Sequence, residues 1–160
     1  MTAVQFWCVA TVNGQTAEWL SLLEVGANGV HLGVSRSGAW LVGDATDCIP
    51  VGSTSAGVRL LPLLEMEPGS THRAITDSLR DHDVSVDGGP NLPILVAIMA
   101  ALAGRSQYWA DLALTWLGVV EPTPDVLAAL EAVVNERWAS QRLRHGAQKI
   151  LRRSKASTGD

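Results

Sequence analysis

Apolar and polar positions alternate along the first third of the chain and fall at helical spacing along the last. Val30, Leu32 and Val34 alternate with His31, Gly33 and Ser35, and Trp40 and Val42 continue the pattern beyond an Arg36-Ser37-Gly38 turn. A period of two marks a strand with one wet face. Ala3–Val12 carries Val, Phe, Trp and Thr, and Asn13-Gly14 follows it as a hairpin signal. Thr16–Val25 fits two readings. As a helix it would have Thr16 as cap, Trp19, Leu22 and Leu23 on one face, and Gly26 past its end. Turn signals on both sides favour a strand. Ile49–Gly57 reads as loop, and Val58–Met66 as a further strand that Pro62 assigns to an edge or a bulge.

Residues 67–90 read as a short helix and a linker. Ser70 or Thr71 would cap the helix, which ends near Asp81 with Ala74, Ile75 and Leu79 inward. Asp81–Pro90 is polar and is the expected junction between the halves. Residues 91–154 then carry helix-length apolar segments separated by caps. Asn91, Pro93 and Gly104 bound one helix; Ser106 and Gly118 bound the next, which holds Tyr108, Trp109, Leu112, Trp116 and Leu117. Thr123-Pro124-Asp125 opens a third.

At about 100° per residue, Leu127, Leu130, Val134 and Trp138 share one helical face. Leu143, Ala147 and Ile150 fall on the opposite face. A break near Ala139-Ser140, with Ser140 capping a fourth helix, lets both stripes turn inward. Helices of this length joined by short loops pack antiparallel, in shape like the hairpins of HEAT-like repeats, although no internal repeat is visible. The expected fold is α+β: an N-terminal antiparallel β-meander (1–66) packed on a C-terminal antiparallel bundle of about four helices (91–154), with residues 155–160 as a disordered tail. At 160 residues one compact unit is expected.

Composition adds a charge asymmetry. Residues 1–136 hold five Arg and fifteen acids, whereas residues 137–160 hold seven Arg or Lys and one acid. The N-terminal segment has no basic stretch followed by a long apolar run, so no secretory signal is expected. The longest apolar run, Leu92–Ala103, suits a buried helix and is too short to span a bilayer. We therefore expect a cytoplasmic protein with no membrane partner. Trp116 and Trp138 are expected in the core.

Catalytic motifs are missing. The sequence has no phosphate-loop pattern, no G-x-G-x-x-G, no H-E-x-x-H and no C-x-x-C. Ser35, Ser37, Ser53 and Ser55 lack the glycines of a nucleophile elbow and read as turn residues. Cys8 and Cys48 are too few for a disulfide framework. Cys8 is a candidate nucleophile with His31, but its apolar strand argues for an inert core thiol, with His31 facing solvent. His72, Asp77, Asp81, His82, Asp83 and Asp87 form a polar patch of imidazoles and carboxylates, the chemistry of a metal or acid–base site. The His82-Asp83 pair resembles the dyad of HD phosphohydrolases, which implies a metal-dependent hydrolase at His72 and His82. That family's further His and Asp ligands have no counterparts placed on this chain.

The strongest remaining feature is the basic end: Arg137, Arg142, Arg144, Lys149, Arg152 and Arg153, with His145 and Lys155. It fits an acidic protein partner, and secondarily a nucleic-acid backbone. It also fits a terminal helix whose cations complement its own dipole. The expected function is a non-enzymatic protein-interaction module, an adaptor, inhibitor or immunity-type protein, with no cofactor or metal.

Overall fold

The computed structural model describes residues 7–159; the Ala3–Phe6 part of the expected first strand lies outside them. Strands β1 (Trp7–Val12) and β2 (Gln15–Glu24) pair antiparallel, which settles Thr16–Val25 as strand. Asn13 and Gly14 join them with φ of 50° and 78°, the left-handed pair that a two-residue hairpin turn requires. Strands β3 (His31–Ser35), β4 (Trp40–Gly43) and β5 (Asp47–Pro50) follow, each antiparallel to the one before.

The sheet does not stay an open meander. β5 returns to β1 in parallel, pairing Thr11 with Asp47 and Val12 with Cys48, and closes a five-stranded barrel. The register of β2 on β3 slips between Ser21 and Leu23. A bulge of this kind bends and twists a strand enough to curl a sheet. Ala10, Trp19, Leu41 and Cys48 fill the lumen, with Val12 beside them. Gly33 makes room for the Trp19 indole, since a Cβ there would lie 2.6 Å from Cε3. The outer wall (Leu20, Leu32, Val34, Trp40, Val42) belongs to the larger core shared with the helices.

There are six helices among the described residues, in place of a bundle of about four preceded by one short helix. Val58–Met66 is not a strand. It continues α1 (Ala56–Leu60) into a 3-10 turn (Leu61–Glu65) that buries Leu60, Leu63 and Leu64. Pro62 sits in the first turn, where its missing N–H costs nothing. In α2 (Pro68–Asp81) the cap is Glu67, not Ser70 or Thr71: its carboxylate accepts from Gly69 N at 2.9 Å and Ser70 N at 2.6 Å. Hydrogen bonds from Ser70, its side chain foremost and then its N–H, and from the Gly69 N–H hold the carboxyl below its ordinary pKa. Thr71, Ile75 and Leu79 face inward, and Ala74 is exposed.

The remaining helices are α3 (Leu92–Ala103), α4 (Gln107–Trp116), α5 (Pro124–Asn135) and α6 (Gln141–Ser157). α3 touches α1, the 3-10 turn, α4 and α5, as its all-round apolar surface requires. Asn91 and Ser106 hold the N-cap positions of α3 and α4 without a side-chain capping bond, whereas Thr123 does cap α5. α6 runs to Ser157, into the segment expected to be a tail. The loop between α2 and α3 is fastened to the barrel: the Trp40 indole donates to Gly89 O at 3.1 Å, and Asp87 N donates to Gly38 O at 2.9 Å.

The expected break between the last two helices is present. α5 stops at Asn135, and Ser140 Oγ accepts from Leu143 N at 3.1 Å to start α6. Leu143, Ala147 and Ile150 are buried, so the second stripe does turn inward. The Ser140 N–H also donates to Gln107 Oε1 at 3.1 Å. Ser140→Ala should lower stability by ~1 kcal/mol, and Ser140→Gly by only a few tenths. Thermal melts that rank the two variants the other way would contradict the capping role.

Candidate interaction surface

α6 contains no acidic residue and carries six of the cations of the basic end. Taking buried Leu143 as zero at about 100° per residue, Arg152, His145, Lys149, Arg142 and Arg153 fall between about 180° and 280°. Arg144 and Lys155 fall near 100° and 120°. The cations therefore divide between a stripe on the outer face and the flank toward α5. The stripe from Arg142 to Arg152 extends about 15 Å along the axis.

Three of the expected partner-binding residues are held within the fold. Arg142 pairs with Asp111 of α4. Arg153 Nη2 donates to Leu117 O at 2.6 Å, meeting a carbonyl at the C-terminal end of α4, where the helix dipole favours a cation. Arg144 Nε donates to Ala139 O at 3.0 Å. Arg137, Lys149 and Arg152 are exposed and make no ion pair among the described residues. Five of the six positions lie on α6 and Arg137 in the turn before it; some of these cations fasten α6, and the others stay open to solvent.

Beside the stripe lies a groove of ≈ 470 Å³ between α4 and α6, lined by Leu114, Gly118, Gly146, Lys149, Ile150 and Arg153. Gly146 sets the close approach of the two helices, since a Cβ there would stand 2.7 Å from Leu114 Cδ1. The groove joins apolar walls to two cationic rims. Sequence periodicity pointed to the cations of α6 but not to this groove, because its other wall comes from a helix some thirty residues away.

The His/Asp patch does not converge. His72 Nε2 is bonded to Asn91 Oδ1 at 2.7 Å, and His82 Nδ1 to Ser78 O at 2.9 Å. Asp77 pairs with Arg80 at 2.6 Å. Among the described residues no three His, Cys, Asp or Glu side chains are placed to hold a metal ion, and no helix is long and apolar enough to cross a membrane. Two further expectations are corrected. Cys8 is exposed rather than buried, and the inert core thiol is Cys48. His31 does not simply face solvent: it is half-buried, with Nδ1 at 2.9 Å from Ser21 Oγ. Ser35 and Ser53 do serve turns, bonded to Ser37 Oγ and Pro50 O. Comparison with known proteins finds no family model, no curated protein and no solved structure that matches this chain.

Proposed function

We propose that this protein is a non-enzymatic interaction module that binds an acidic segment of a partner protein along the outer face of α6. The observation that carries the reading is the acid-free basic stripe beside an apolar groove. Leu114 and Ile150 offer walls for an apolar side chain, and Lys149 and Arg152 offer charges to flanking carboxylates. Exposed cations of this kind raise the association rate more than they lengthen the complex's life.

A nucleic-acid backbone would meet the same cations. The remainder of the chain bears five Arg against fifteen acids, however, and so repels a long polyanion. The test is fluorescence anisotropy with a labelled peptide alternating Glu and Leu, alongside a duplex DNA, both at ~150 mM salt, where exposed charges are screened beyond about 8 Å. Lys149→Glu with Arg152→Glu should abolish peptide binding at an unchanged melting temperature. Peptide binding that survives the reversal would remove α6 from the interface. DNA binding with a salt slope near −0.9 per phosphate contacted, without peptide binding, would replace this reading with nucleic-acid recognition.

A further inference from the structure

A second site lies at the open end of the barrel, away from α6. Cys8, Trp19, Ser21, His31 and Ala45 line a cavity of ≈ 200 Å³. Cys8 is directly opposite Trp19 in the β1–β2 pairing, so its side chain is on the lumen side, and it is exposed. The rim is firm on the β4–β5 side: Asp44 Oδ1 accepts from Thr46 N at 2.8 Å and Asp47 N at 2.9 Å, which pins Ala45 between them.

The Trp19 indole forms the floor and carries an independent sign of a ligand. The residue is 2% exposed, yet its Nε1–H has no hydrogen-bond partner. Buried N–H groups are almost always paired, and one that is not calls for an explanation. Cε3 and Cζ3 lie against Gly33 of β3. The pyrrole edge with Nε1 is the opposite edge of the ring and faces away from β3. An acceptor atom on a molecule entering the mouth would satisfy it.

His31 completes the set. Where its Nδ1–H donates to Ser21 Oγ, Nε2 keeps its lone pair and can take a proton. A thiol, a fixed imidazole and an unpaired N–H donor around one small cavity make a place for thiol chemistry.

We infer that the barrel mouth is a site of reversible S-thiolation, at which Cys8 exchanges with a low-molecular-weight disulfide bearing a carbonyl group. In the exchange Cys8 Sγ passes its proton to His31 Nε2 and attacks one sulfur of the disulfide. A new S–S bond forms to Cys8, the disulfide's own S–S bond breaks, and the second sulfur leaves as a thiolate that takes the proton from the imidazolium. Cys8 is oxidised, the departing thiol is the reduced product, and a carbonyl oxygen of the attached group accepts from Trp19 Nε1–H.

Cys48 provides an internal control. It is fully buried in the same lumen, and burial, with Asp44 and Asp47 nearby, pushes its thiol up to about 11. The native chain is incubated with glutathione disulfide, and the adduct is located and timed by mass spectrometry. The same chain unfolded in urea gives the baseline rate for each cysteine. Native Cys8 should react faster than its unfolded baseline while Cys48 stays unmodified. His31→Gln should slow Cys8 at least about tenfold without lowering the melting temperature. Ser21→Ala should slow it less, and Trp19→Phe should shorten the adduct's life toward reduction. Should Trp19→Phe disturb the barrel, His31→Gln and the urea baseline still decide. A native rate at or below the baseline, an unchanged rate in His31→Gln, or modification of Cys48 in step with Cys8 would each overturn the assignment.

Discussion

Truncation of Trp116 to Ala should lower the free energy of unfolding by ~3–5 kcal/mol. The side chain is fully buried at the end of α4, and its indole N–H donates to Leu64 O at 3.1 Å. It therefore fills the centre of the helical layer and also ties α4 to the 3-10 turn after α1. The two contributions separate in Trp116→Phe, which keeps most of the ring and leaves the Leu64 carbonyl unpaired, a loss of ~1–3 kcal/mol. Trp138, expected to be equally central, is half-buried and lines an open apolar groove with Met99, Leu102 and Val133. Trp138→Ala should fall below the Trp116 range. Urea unfolding of the three variants checks the order, and a Trp116→Ala protein within ~1 kcal/mol of the parent would contradict the packing described.

The opposite kind of damage is expected at Gly43. A Cβ there would stand 2.2 Å from Asp47 O and 2.6 Å from Cys48 Cα, both backbone atoms of β5. No rotamer change relieves that overlap, so β4 and β5 must part where the barrel closes. Gly43→Ala should cost at or above the top of the ~1–3 kcal/mol usual for overpacking. Gly146→Ala meets only the tip of Leu114 and should cost less, and Gly52→Ala meets nothing within 4 Å and should be nearly neutral. Melting temperatures that fail to follow the order Gly43, Gly146, Gly52 would show that the strands have room to spare.

Local signals carried much of the fold. Asn13-Gly14, the strands β3 and β4, and the Leu143, Ala147 and Ile150 stripe after Ser140 could each be read within a dozen residues, and each lies where it was expected. The face of β4 expected to be wet is buried instead, and of the stripe before Ser140 only Leu130 is buried, with Leu127, Val134 and Trp138 half-buried. What could not be read depends on distant partners. Val58–Met66 is nearly continuous in apolar residues, a pattern common to buried strands and buried helices. Its helical state follows from packing on α3, where a Cβ on Gly57 would come within 2.9 Å of Ala100 Cβ. Closure of the barrel rests on two residue pairs between β1 and β5, across some thirty-five residues of chain. The cations of α6 were visible as a cluster, but their division into fastening and open positions depends on Asp111 of α4, Leu117 just past its end, and Ala139 before α6. The apolar composition of the first strand pointed to a buried Cys8; the exposure of that thiol depends on how the sheet closes.

The apolar outer wall of the barrel has a consequence for the order in which the chain is made. A ribosome releases the five strands first, and a ring can close around Trp19 while α3–α6 are still unmade. Leu20, Leu32, Val34 and Val42, all fully buried in the finished protein, then stand exposed to water and to other nascent chains. At ~5–20 residues per second, the helices that cover them follow seconds later. During that interval the half-made protein presents the kind of surface that chaperones bind, and slow codons between the strands and α3 would prolong it.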